Sequence, residues 1–185
     1  MKNNQKGFAL PLSLLLLVVM TLMGATLVSM TASDIRANDD KDKGQQAFYA
    51  AESGIAHAKR WIKTNTNNLT GSSQKNLSND LKFCKTSLFP NLVGTNGFTL
   101  QRKSLDEVIS SSGDEQTRLS NFSFEWFVAY SPNQNGNNNS PKKKPNSNKT
   151  YYTIYSCGCD GPKDSCRSQK NKIVSLEAVV TLSIQ

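Results

Sequence analysis

The chain holds one histidine, His57, in 185 residues. A His-dependent hydrolase needs a nucleophile and an orienting acid around such a residue. No G-x-S-x-G, H-E-x-x-H or phosphate-cradling glycine loop occurs in the sequence. His57 is therefore expected as an ordinary contact at a helix surface or between helix and sheet, and neither an enzyme nor a cofactor site is expected. Asp34, Asp39, Asp40 and Asp42 lack the glycine and glutamate positions of a calcium loop. Interleaved with Lys41 and Lys43, they read as a solvated helix face.

Charge is missing altogether between Lys6 and Asp34. Phe8 to Ser33 supplies 26 uncharged residues rich in Leu, Val and Met, and roughly 20 suffice to cross a bilayer as a helix. Lys2 and Lys6 precede this stretch, whereas the charges after it nearly cancel. The bias of basic residues toward the cytoplasmic side then predicts a single pass with the C-terminus outside. Cysteine is absent from the apolar run, which excludes a diacylated lipoprotein anchor there. The run is about twice as long as the apolar region of a secretory signal, and Met30 and Ser29 make a poor cleavage context before Thr31, Ala32 and Ser33.

Beyond the apolar run, polar and apolar residues mix. Phe48, Ala51, Ile55, Ala58 and Ile62 recur at helical spacing, so the helix is expected to continue as an amphipathic half over residues 34–64. Gly24, Gly44 and Gly54 are candidate bends within it. Residues 65–185 are expected to form one globular domain. Phe122 to Tyr130 alternates as a half-buried strand should, with Phe122, Phe124, Trp126, Val128 and Tyr130 on one side. Tyr151 to Cys159 repeats the pattern, and Ile173 to Ile184 adds a third strand. A shorter strand is expected over Phe98 to Arg102, and a helical turn within Leu77 to Cys84. Such strands covering an amphipathic helix make an α+β domain. Residues 132–150 are almost wholly Asn, Pro, Ser, Gly and Lys, and read as a mobile loop.

Four cysteines, Cys84, Cys157, Cys159 and Cys166, all fall on the outer side of this topology, where disulfides form. Cys157 and Cys159 share one strand face and are badly placed to bridge each other. Two connectivities remain. The preferred one closes a small loop from Cys159 to Cys166 and ties Cys84 to Cys157. A four-thiolate zinc site is disfavoured because the spacing is C-x-C rather than paired C-x-x-C knuckles.

The formal charge is +8, and without Lys2 and Lys6 there remain 20 basic against 14 acidic side chains. That excess biases encounters with polyanions. Lys142, Lys143, Lys144 and Lys149, close to Tyr151 and Tyr152, are the candidate contacts, since lysines and stacking aromatics suit sequence-neutral DNA binding.

The stretch KGFALPLSLLLLVVMTLMG resembles the N-terminus of the type IV pilin superfamily, and QQAFYAAESGIAHAKRWI, Gln45 to Ile62, is similar to the N-terminal helix of PilX-type minor pilins. The resemblance covers about the first 62 residues. It implies a leader over residues 1–7, cleavage by the prepilin peptidase after Gly7, methylation of Phe8, and a transmembrane half over 8–33. It also implies a pilin-like fold, with the long helix packed on a small antiparallel sheet. Major pilins carry a glutamate at the fifth mature position, where this chain has Leu12. A buried carboxylate is costly unless paired, and in the family that acid pairs with the amine of a neighbouring subunit. Leu12 therefore points to a minor, priming or tip-proximal subunit.

The partners implied are other major and minor pilins, the peptidase and the inner-membrane assembly platform. DNA or a host surface stands beyond them. The localisation implied is the inner membrane with a periplasmic domain, then the surface pilus. The alternatives are a type II secretion pseudopilin and a membrane-tethered adhesin or DNA receptor.

Overall fold

The computed structural model describes residues 9–92, 94, 96–132, 140–166 and 171–183. They fall into two units that meet between Asp42 and Lys43. One helix, α1 (Ala9–Thr64), contributes to both and is unbroken at Gly24, Gly44 and Gly54.

The first unit is the apolar part of α1. Every Leu, Val and Met from Leu10 to Met30 is exposed, and the helix is long and apolar enough to cross a membrane. Four hydroxyls on it are bonded within the helix. Ser13, Thr21, Thr26 and Thr31 each donate to a backbone carbonyl three or four residues earlier, at 2.8–2.9 Å. Polar groups satisfied within the helix avoid the cost of exposing them to hydrocarbon.

The second unit has its own core. After α1 come β1 (Lys75–Asn76), β2 (Asn96–Gly97), β3 (Thr99–Ser104), a short helix α2 (Asp114–Leu119), β4 (Ser123–Tyr130), β5 (Lys142–Lys143), β6 (Lys149–Cys159) and β7 (Ile173–Ser183). β1 and β2 make a two-residue ladder, while the other strands form one antiparallel sheet ordered β3, β4, β6, with β7 on the far side of β6. β6 pairs along its full length with β7, from Lys149↔Ser183 to Cys159↔Ile173. β4 and then β5 share its opposite edge. The α+β class and pilin-like layout expected from the sequence are what the chain adopts.

Several local expectations need correction. The buried face of α1 is Ala47, Ala50, Ala51, Gly54, Ala58 and Ile62, whereas Phe48 is 43% exposed and Tyr49 62%. The helix lies so close to β6 that only small side chains fit between. β4 is buried on both faces rather than one. Phe124, Trp126, Val128 and Tyr130 face α1, and Phe127 and Ala129 face a layer containing Leu77, Phe83, Phe89 and Leu92. Leu77 to Cys84 does hold the expected helical turn, at Ser78–Asp80, where the Asp80 and Leu81 N–H groups donate to the Leu77 carbonyl at 3.0 and 3.2 Å.

Part of the stretch expected as a loop, 132–150, is paired instead. β5 pairs with Tyr151 and Thr150 of β6, and the Lys144 N–H donates to the Lys149 carbonyl at 2.8 Å. Asn146 closes that hairpin at φ 54°, a left-handed conformation Asn tolerates better than most residues. Residues 133–139 and Ile184 lie outside the described residues.

Candidate functional site

The helix–sheet seam explains the AFYAAESG segment physically. A Cβ on Gly158 would stand 2.0 Å from the Ala47 carbonyl oxygen and 2.2 Å from the Ala51 nitrogen. Those are backbone atoms and cannot swing aside. Across the same seam Ser156 Oγ donates to the Ala51 carbonyl at 2.8 Å, and a Cβ on Gly54 would meet that hydroxyl at 2.3 Å. Ala47, Ala51 and Gly54 of α1 thus meet Ser156 and Gly158 of β6 with almost no side chain between. Glu52, in the same segment, is exposed.

His57 sits at the edge of this seam. The Trp126 indole N–H donates to His57 Nδ1 at 3.2 Å, and the two rings lie 5.7 Å apart. An indole N–H only donates, so the contact requires Nδ1 to be unprotonated. Partial burial, with Lys103 and Arg60 nearby, lowers the His57 pKa from its ordinary value. His57 is a helix–sheet contact, as expected.

The opposite face of the sheet carries a feature that sequence reasoning missed. Glu125 of β4 is fully buried. Its carboxylate accepts the backbone N–H groups of Lys82, Phe83 and Cys84 at 2.8–3.1 Å. Arg102 of β3, directly opposite in register, adds Nε at 3.2 Å and Nη2 at 2.9 Å. Such a charge is tolerable inside only because it is paired and fully hydrogen-bonded.

The row continues across the sheet as Arg102, Glu125, Cys157 and Ser175. Each member holds the segment from Asp80 to Leu88. Arg102 Nη2 donates to the Asp80 carbonyl at 3.0 Å, Cys157 bridges Cys84, and Ser175 Oγ donates to the Leu88 carbonyl at 3.3 Å. A sequence signal existed. Phe127 and Ala129 share the face of Glu125 on a strand, so that face was never polar throughout.

Both disulfides adopt the preferred pairing. Cys84 joins Cys157 and Cys159 joins Cys166, with Cα separations of 5.4 and 6.0 Å. The described residues include no free cysteine. Below the second bridge, the Lys172 N–H donates to an Asp160 carboxylate oxygen, and burial raises the Asp160 pKa. On the helix side, Tyr152 is buried and its hydroxyl donates to the Leu69 carbonyl at 2.9 Å; burial pushes its pKa far up.

The remaining predicted residues are scattered. Leu12 is exposed in the first unit, and Gly7 and Phe8 lie outside the described residues. Lys142, Lys143, Lys144 and Lys149 are all exposed on the β5–β6 hairpin. Strand alternation places Lys142, Lys144, Lys149 and Tyr151 on one face and Lys143 on the other.

Comparison with protein-family models, curated proteins and solved structures returns no match for this chain. The class defined so far is therefore architectural: an α+β protein in which one long helix, apolar in its first half, packs its second half on an antiparallel sheet.

Proposed function

We propose that the chain is a minor pilin of a type IV pilus, processed after Gly7 and incorporated near the filament tip, where it primes assembly. The observation that supports this best is one of continuity. The Lys6-Gly7-Phe8 boundary leads into an apolar helix, and the same α1 carries the AFYAAESG face that seats it on the sheet.

In this reading the apolar half holds the subunit in the inner membrane and then leaves lipid for a bundle of like helices. Leu12 offers no carboxylate to pair with a neighbour's terminal amine, so the subunit has no means of docking beneath another one and serves as the first. The disulfide-tied domain stands in the periplasm and packs against other major and minor pilins. The prepilin peptidase and the inner-membrane assembly platform act on the α1 end.

N-terminal sequencing of the mature protein tests the reading. A start at Phe8 is expected, and a Gly7 substitution should leave the precursor uncut and fail to support pili. A start near Ser33 overturns it.

The lysine hairpin supports a second role, contact with DNA or another polyanion. Lys142, Lys144 and Lys149 share a face with Tyr151 and make no ion pair among the described residues. Replacing all four lysines by Gln should weaken DNA retention and flatten its salt dependence. Unchanged retention removes this role.

A further inference from the structure

β3 is an edge strand. It pairs with β4 on one side and, among the described residues, with no strand on the other. In an antiparallel ladder, pairs that exchange both hydrogen bonds alternate with pairs that exchange none. The Leu105 N–H donates to the Phe122 carbonyl at 2.9 Å, next to Ser104↔Ser123 in the register. The bonded pairs are therefore those of Lys103, Gln101 and Thr99. The backbone N–H and C=O groups of Leu100, Arg102 and Ser104 point outward, away from β4.

Two cavities flank this outward edge. One, of about 490 Å³, is lined by Leu77, Asp80, Lys82, Leu100 and Arg102. The other, of about 340 Å³, is lined by Trp61, Asn68 and Ser73. Lys75, Phe98 and Thr99 belong to both, so the two form one groove along the strand.

We propose that this groove takes an acidic, extended segment of a partner polypeptide as an added strand beside β3. The chemistry of the edge selects the class of partner. Outward groups that alternate donor and acceptor at about 6.8 Å intervals match another extended backbone. A nucleic-acid backbone offers phosphate acceptors and leaves the Leu100 and Arg102 carbonyls unpaired.

Charge selects the acidic character. Lys75 and Lys82 reach into the groove and Lys103 flanks it on the other face of β3, and none of the three makes an ion pair among the described residues. Among the described residues Asp80 is the one carboxylate lining either cavity, and Arg102 is already held by Glu125. Alternate side chains of an added strand fall to opposite faces. Acidic ones then meet Lys75 and Lys82, while apolar ones lie against Trp61 and Phe98. This partner site stands whether or not the chain is a filament subunit.

The test uses the full chain in detergent micelles and a labelled peptide of alternating Asp and Val. Two controls accompany it: a peptide of alternating Lys and Val, and the Asp–Val peptide N-methylated at every second amide. Binding is read by anisotropy and by amide hydrogen exchange. Saturable binding of the Asp–Val peptide is expected, with slowed exchange at the Leu100 and Arg102 amides. A K75E/K82E variant, altered only at exposed side chains, should bind about tenfold more weakly, and N-methylation should abolish binding.

The proposal is overturned if no peptide binds, if the Lys–Val peptide binds equally, or if binding survives N-methylation. Unchanged exchange at Leu100 and Arg102 overturns it as well. Protection of those amides that rises with protein concentration without peptide would assign the edge to a second copy instead, and equal displacement by duplex DNA would make the groove a polyanion surface.

Discussion

At the scale of single residues, His57 is a half-buried polar contact between helix and sheet, and Glu125 a fully buried one within the sheet. His57 accepts from Trp126, and its folded-state pKa is depressed. The unfolded chain, with the ordinary value near 6.5, takes up a proton first as pH falls. Stability therefore decreases as pH drops below about 6.5, down to the folded-state pKa, and the effect is absent above that window. Urea denaturation of wild type and His57→Gln at pH 7.5 and pH 5.5 should show the wild type losing more of its midpoint between the two. Equal losses would mean that the Trp126 contact does not set the protonation state.

Glu125 was legible only in part: Phe127 and Ala129 give its face apolar character, yet a lone acid in an alternating strand normally marks the solvent side. The layer that covers it comes from Leu77 to Leu92, which has almost no periodicity of its own. Its order rests on partners far away in the chain, and local pattern carries no trace of them.

At the scale of elements, the strands were the legible part. β4, β6 and β7 fall where alternation placed them, because cross-strand aromatic packing such as Phe127 with Tyr155 at 5.0 Å needs large residues at period two. The helix face follows the expected stripe at Ala51, Ile55, Ala58 and Ile62 and departs from it at Phe48, for a physical reason. Periodicity ranks large apolar residues first, yet this helix approaches β6 at backbone distance, and the residues that permit it are the small ones.

Gly158→Ala tests that reason. Overpacking against rigid backbone should destabilise the second unit by about 3 kcal/mol, measured by chemical denaturation. A loss near zero would mean that helix and strand separate easily. The turn at Asn146 and the pairing of β5 were hidden for the converse reason, since a hairpin of Lys, Pro, Asn and Ser has the composition of a loop.

At the scale of the whole molecule, the chain combines a unit that contributes exposed apolar surface with one that is cross-linked and self-contained. The two bridges differ in what they close. Cys84 and Cys157 are 73 residues apart and Cys159 and Cys166 only 7. Loop-closure entropy then assigns about 4 kcal/mol to the first and about 2.5 kcal/mol to the second. Removing the first pair, as Cys84→Ala with Cys157→Ala, should lower the denaturation midpoint more than removing the second pair. The reverse order would show that Glu125 and Arg102 hold the 80–88 segment without the covalent tie. Thiol titration of the unfolded, unreduced chain should find none free.

Gly158 stands between Cys157 and Cys159 in β6, its hydrogens toward α1 and the two sulfur-bearing neighbours toward the opposite face. Tension applied along α1 would therefore enter the domain at a strand anchored on both sides of the point of contact. Shearing β6 out of the sheet would drag two covalent loops with it. Where the helix touches the strand most closely, the strand is tied covalently on both sides of that point.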